Sequence, residues 1–170
     1  MVDKATPPSR GSYPVSEAHL RAIGGIVVCW SHIEMAMEVA ICGLYEISPD
    51  RGLVLTSNIG FQSRITLLRV LATRGAIADK GIASALTALL ARIEAASADR
   101  NAAAHGAWSG TADPDTARRM AIRVRGNRLR CVDDRIEIAQ LEATLARIDR
   151  LRLDFATQLV RLKLRWPTSS

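Results

Sequence analysis

The chain has 170 residues, of which 48% are apolar, 24% are charged and 4% are aromatic. This length and composition exclude a disordered chain and predict one globular domain with an aliphatic, alanine-rich core. Lys and Arg (23) exceed Asp and Glu (17) by six, and this basic balance favours polyanionic partners, nucleic acid above all.

Simple patterns exclude several classes of protein. No uninterrupted apolar run approaches the ~18 residues of a membrane span, and the first residues lack the apolar segment of a secretory signal. Cys29, Cys42 and Cys131 are widely spaced and form no CxxC pair, which predicts free thiols and no metal site. Free thiols indicate a reducing compartment, so we expect a cytoplasmic protein. Phosphate-binding and dinucleotide-binding glycine motifs are missing, so we expect no cofactor.

A long helix follows an N-terminal arm. Residues 1–14, rich in Pro, Gly and Ser, predict a flexible arm, and Ser16 is a candidate helix N-cap. Apolar residues then recur at spacings of three and four, which predicts an amphipathic helix over roughly 16–47. His19, near its start, is expected to be exposed.

Two shorter helices and a second long one are predicted next. Ser48-Pro49 indicates a helix start with proline in the first position. The apolar spacing from Phe61 to Ala72 predicts another helix that ends before Gly75. The segment from about Lys80 to Ala104 repeats the pattern and ends at Gly106.

The pattern changes in the last third of the chain. Residues 107–117 predict a loop, and two runs of alternating apolar and basic residues around Gly126-Asn127 predict a β-hairpin over about 118–133. A final helix over 138–162 precedes Pro167. We therefore predict an all-α fold: an antiparallel bundle of four to five helices with a single hairpin insertion before the last helix. One domain spans 15–166, followed by a tail at 167–170.

Two charged residues interrupt apolar helix stripes. Glu34 lies on the stripe of the first long helix and Arg100 on that of the later one. Because a lone buried charge costs several kcal/mol, each needs a partner, and we expect them to pair across the bundle. A purely structural ion pair is the alternative interpretation.

Arg100 also begins a segment whose residue types suit catalysis. Asn101 and His105 are four residues apart on one helix face, whereas Arg100 and His105 differ in direction by about 140°. His105 lies at the negative end of the helix dipole, which favours imidazolium. A histidine that exchanges protons beside a guanidinium that stabilises phosphoryl oxygens suits metal-free cleavage of RNA.

At these residues the chain resembles the HEPN (higher eukaryotes and prokaryotes nucleotide-binding) domains. The resemblance rests on R-N-x-x-x-H from Arg100 to His105 at the end of a long helix, on the following Gly106-Ala107-Trp108, and on Glu34 as the acidic residue of the first helix. It covers roughly 16–163 loosely and 97–108 more closely.

The resemblance implies a metal-independent endoribonuclease. Arg100 and His105 would be catalytic, Asn101 would position phosphate or His105, and Glu34 would orient Arg100. It also implies a homodimer that brings two motifs into one cleft, and a toxin or defence role with a nucleotidyltransferase-type antitoxin as partner. Some HEPN domains only bind RNA or protein, so a non-catalytic binding module is the alternative. A chance R-N-x-x-x-H run in an unrelated helical protein is a third interpretation.

The hairpin segment concentrates positive charge. Seven arginines and two aspartates between Ala117 and Arg135 leave a net charge of +5. We expect RNA-backbone contacts without base stacking, or else a solvated edge that blocks strand aggregation. The candidate RNA-binding residues are Arg118, Arg119, Arg123, Arg125, Arg128 and Arg130.

Overall fold

The structure is a computed structural model that describes residues 13–125 and 128–164. Most of the predicted N-terminal arm, the hairpin turn at Gly126-Asn127 and the predicted tail at 167–170 therefore lie outside the described residues.

Five α-helices make up most of the described chain, in close agreement with the predicted segments. A predominantly helical fold is thus confirmed. The helices are α1 (Glu17–Leu44), α2 (Pro49–Thr56), α3 (Phe61–Thr73), α4 (Lys80–His105) and α5 (Ile138–Arg161).

A three-stranded antiparallel sheet separates α4 from α5. Its strands are β1 (Ala107–Gly110), β2 (Thr116–Arg125) and β3 (Arg128–Glu137), in the order β1-β2-β3. The predicted loop over 107–117 is confirmed for 111–115 and wrong for 107–110, which form β1 and pair with the first half of β2, and for 116–117, which begin β2. The fold is therefore not strictly all-α, and the insertion is larger than a single hairpin.

The helix starts are fixed by local contacts. Asp79 caps α4 by accepting hydrogen bonds from the backbone N–H groups of Gly81 (2.7 Å) and Ile82 (3.0 Å). Ser16 does precede α1, but its hydroxyl bonds Nδ1 of His19 at 2.7 Å rather than a backbone N–H. This contact accompanies burial of His19, so its predicted exposure is wrong.

The core lies between α1, α3, α4 and α5. Its largest fully buried side chains include Trp30, Ile33, Leu90, Ile148 and Phe155. Length and hydropathy alone would also allow α1 and α4 to cross a membrane. Both helices contribute buried residues to this core, and a core helix meets the same two criteria, so these values do not establish a membrane location.

Candidate active site

Helices α1 and α4 bring Glu34 and Arg100 together. Oε1 of Glu34 lies 3.6 Å from Nη2 of Arg100, which confirms the predicted pair. The Arg100 side chain is 22% exposed and that of Glu34 is 29% exposed. The pair is thus anchored at the edge of the core, while part of the guanidinium still faces solvent.

Trp30 holds both members of this pair. Its indole Nε1 donates a hydrogen bond of 3.1 Å to Oε1 of Glu34, and Cζ of Arg100 lies 5.7 Å from the centre of its ring. The indole is buried and lies 5.1 Å from the ring of Phe61. A guanidinium over an aromatic face is attracted by the ring quadrupole. Trp30 therefore links the position of Arg100 to the packing of the core.

Arg100 retains hydrogen-bonding capacity. Its Nη1 donates to Oδ1 of the exposed Asn101 at 2.9 Å. Its Nε is buried and has no hydrogen-bond partner among the residues that the structure describes. A buried N–H without an acceptor is unfavourable by about 1–3 kcal/mol, and an acceptor that reaches this atom relieves the penalty.

His105 is the last residue of α4 and is exposed. Within 13–125 and 128–164, no hydrogen bond or ion pair joins its ring to Arg100. The helix ends at Gly106 in an extended conformation (φ −72°, ψ 141°) rather than a left-handed turn. One chain therefore presents Arg100 and His105 at the same helix end without a hydrogen bond between them.

The end of α4 is fixed by the sheet. Nε1 of Trp108 donates to the carbonyl of Ala103 at 3.0 Å and so satisfies one of the free carbonyls of the last helical turn. A Cβ atom on Gly106 would lie 2.6 Å from Cγ of Arg119 and 2.9 Å from the carbonyl oxygen of Ala102. Gly106 thus allows the stem of Arg119 to pack directly beside His105.

Replacement of Gly106 with alanine is expected to destabilise the fold. The added methyl group would press on the stem of Arg119 and on the α4 backbone, so we expect the free energy of unfolding to fall by about 1–3 kcal/mol. Urea unfolding measures this change. Gly24→Ala is the control: its Cβ meets nothing within 4 Å in the middle of α1, so a gain of about 1 kcal/mol is expected. Equal stability changes in the two variants would contradict the tight packing at Gly106.

Acidic partners neutralise two arginines at the base of the sheet. Arg118 binds both carboxylate oxygens of Asp133 (2.7 and 2.5 Å), and these hydrogen bonds hold the pKa of Asp133 below its usual range. Arg119 binds Asp134 at 2.5 Å, and its Cζ lies 5.9 Å from the centre of the Trp108 ring. With a side chain only 16% exposed, Arg119 is an anchor between the sheet and α4.

Four further arginines occupy the end of β2 and the start of β3, on either side of residues 126–127. The backbone register places Arg123 opposite Arg130 and Arg125 opposite Arg128, as the predicted two-residue turn requires. Their proximity across the strands is thus confirmed at the level of the backbone. Sequence reasoning missed the roles of Trp30 and Gly106. The four-residue spacing of Trp30 and Glu34 on α1 was a signal for the first contact, whereas the approach of Arg119 to Gly106 has no local signal.

The described residues of this site provide neither a metal-binding cluster nor a reactive cysteine. Among the described residues, no three His, Cys, Asp or Glu side chains are placed to hold a metal ion. Cys29 lies between α1 and α5, where burial and the neighbouring Asp149 raise the pKa of its thiol. A raised pKa makes this thiol a poor nucleophile.

Comparison with protein-family models, with curated proteins and with solved structures finds no match to this chain. The arguments for function therefore rest on the residues and their geometry.

Proposed function

We propose that this protein is a HEPN-like, metal-independent endoribonuclease in which Arg100 and His105 cleave RNA. One observation carries the proposal: Glu34 and Trp30 hold the Arg100 guanidinium at the solvent edge of α4, the same helix that ends in an exposed His105. A positioned cation and an exposed proton carrier are the two groups that phosphodiester cleavage needs.

The proposed reaction uses the RNA 2′-hydroxyl as the nucleophile. The imidazole of His105 takes the hydroxyl proton while the 2′-oxygen attacks the phosphorus atom. The bond from phosphorus to the 5′-oxygen breaks, and this oxygen takes a proton from the imidazolium. The products are a 2′,3′-cyclic phosphate and a 5′-hydroxyl. Arg100 stabilises the negative charge on the non-bridging oxygens, Glu34 orients the guanidinium, and Asn101 positions it or the phosphate.

The proposal includes a homodimer. Because no hydrogen bond joins Arg100 to His105 within the described residues of one chain, a complete site would form when a second copy or the substrate brings these groups together. The proposal further includes a cytoplasmic toxin or defence role, with a nucleotidyltransferase-type protein as antitoxin. The substrate is RNA in the toxin role and in the defence role alike.

Cleavage of labelled, mixed-sequence RNA in EDTA tests the proposal. We expect the wild type to produce 2′,3′-cyclic phosphate ends, and we expect Arg100→Ala to lower the rate by about 10²–10³-fold, as loss of a donor to a developing oxyanion does. Arg92→Ala is the matched control, because Arg92 lies on the same helix and pairs with Asp154 away from the site. Cleavage that persists in a folded Arg100→Ala variant would contradict the assignment.

A non-catalytic module that binds RNA or protein is the second candidate. The lack of a hydrogen bond between Arg100 and His105 within the described residues of one chain favours it, since Arg100 donates to Asn101 instead. RNA binding by the wild type without cleavage in any variant would support this candidate over the nuclease.

A further inference from the structure

The β2–β3 pair, here called the ribbon, divides its charges unequally between two faces. Side chains alternate between faces along a strand, and the register of the ribbon runs without a bulge from Thr116–Glu137 to Arg125–Arg128. Positions in phase with Ala117 make up the inner face, which packs on the helices at its base because Ala117 is buried there. Positions in phase with Thr116 make up the outer face.

The inner face carries most of the net charge of the protein. It holds five arginines and a single acid, Asp134, hence a net charge of +4 out of +6 for the chain. Arg119 and Asp134 pair with each other, which leaves an arginine ladder of Arg123, Arg125, Arg128 and Arg130.

The outer face is neutral by comparison. Arg118 and Arg135 are balanced there by Asp133 and Glu137. The exposed side chains of Met120 and Ile122 lie on the same face, so its remaining surface is partly apolar. The two faces of one ribbon thus differ by four charges.

The ladder has an arrangement that an anionic ligand would stabilise. Like charges directly opposite on neighbouring strands are destabilising, and the ladder places two such pairs in succession. Its inner-face neighbours, Ala121 and Val132, provide no carboxylate. Successive ladder positions along a strand are separated by about 6.6–6.8 Å, so the ladder is two opposed pairs of cations that a chain of phosphates can follow.

The inner face that carries the ladder begins next to the proposed active site. Arg119 anchors the inner face next to Gly106, directly after His105. At about 3.3 Å per residue, the ladder extends from about 13 to about 20 Å beyond Arg119 along β2. A polynucleotide that reaches His105 can therefore continue along the same face of the ribbon.

We propose that the inner face of the ribbon is the binding track for the backbone of single-stranded RNA, and that the outer face is not part of it. This inference rests on the proposed function, because it takes RNA as the ligand. Attack by a 2′-hydroxyl requires a backbone free to bend into line, which a single strand provides. The ladder has no aromatic residue, so binding depends on phosphates and is indifferent to base sequence.

Binding of a 2′-O-methyl oligoribonucleotide of ~12 nucleotides tests the track separately from catalysis. This probe keeps the phosphates but lacks the 2′-hydroxyl that the proposed cleavage requires. Four phosphate contacts predict a slope of log K against log salt concentration of about −3, from about −0.7 per contact on a single strand. We expect Arg123→Ala to reduce the magnitude of this slope by about 0.7, and Arg123→Ala with Arg130→Ala to reduce it by about 1.4.

Arg135→Ala is the charge-matched control, because Arg135 lies on the outer face of the same ribbon. Its slope should equal that of the wild type, and thermal melting should show that all variants fold. An equal reduction by Arg123→Ala and Arg135→Ala would overturn the assignment to one face. A wild type that does not bind the oligonucleotide, or whose binding shows no salt dependence, would overturn the track itself. Salt-dependent binding of the oligonucleotide by a protein that does not cleave labelled RNA would refute the nuclease and leave the track intact. Cleavage of labelled RNA by a protein whose oligonucleotide binding lacks this salt dependence would refute the track and leave the nuclease intact.

Discussion

Replacement of His105 with alanine is expected to reduce RNA cleavage by about 10²–10⁴-fold, the usual contribution of a general acid–base group. The side chain is exposed at the end of α4, so the substitution removes no core packing. The expected result is therefore a large loss of rate in a protein with nearly unchanged stability.

Initial rates with labelled RNA in EDTA, together with thermal melting, measure both quantities. His32→Ala is the matched control, because His32 is also an exposed histidine on a long helix but lies on α1, in a groove beside Arg152 of α5. We expect this control to cleave at the wild-type rate. A His105→Ala variant with full activity would remove His105 from the mechanism.

The largest effect on stability is expected at Trp30, where alanine should lower the free energy of unfolding by about 3–5 kcal/mol. The indole is fully buried, contacts the ring of Phe61 and donates its N–H to Glu34. Its removal leaves a cavity and an unpaired Glu34 next to Arg100. Since domains are typically stable by about 5–15 kcal/mol, this single change removes a large share of the total. Urea unfolding at several protein concentrations measures it.

Trp30→Phe separates packing from hydrogen bonding at the same position. It keeps an aromatic ring beneath Arg100 but loses the N–H that binds Glu34, so we expect a smaller loss of about 1–3 kcal/mol. We also expect it to lower RNA cleavage while the protein stays folded, because Glu34 and Arg100 lose a common anchor. If Trp30→Phe and Trp30→Ala were equally destabilising, the hydrogen bond rather than the packing would dominate.

The helices could be predicted because their signals are local. The three- and four-residue spacing in α1, α4 and α5 records which face each helix buries, and Pro49 marks the start of α2. Glu34 and Arg100 could be paired because each interrupts such a face, and a charge there demands a partner. The ribbon register followed from alternation about a two-residue turn.

The missed features depend on contacts that the spacing of apolar residues does not record. The sequence Ala107–Gly110 has no alternation, contains a glycine and is only four residues long, and it becomes β1 because β2 provides a partner. His19 is buried through a contact with Ser16, which its polarity did not predict. The inner and outer faces of the ribbon could be separated by alternation, but only the burial of Ala117 shows which face meets the helices. The catalytic roles, the homodimer and the RNA partner stay predictions.

Gly106 has a consequence for how this chain tolerates insertions and deletions. It alone joins the last residue of α4 to the first residue of β1. Loops usually accept changes in length, but side chains on a strand alternate, so one extra residue here would exchange the two faces of β1. Trp108 would then turn away from Ala103 and Arg119. The number of residues between α4 and β1 should therefore tolerate change as poorly as the identity of a buried residue does, although these residues lie between two elements.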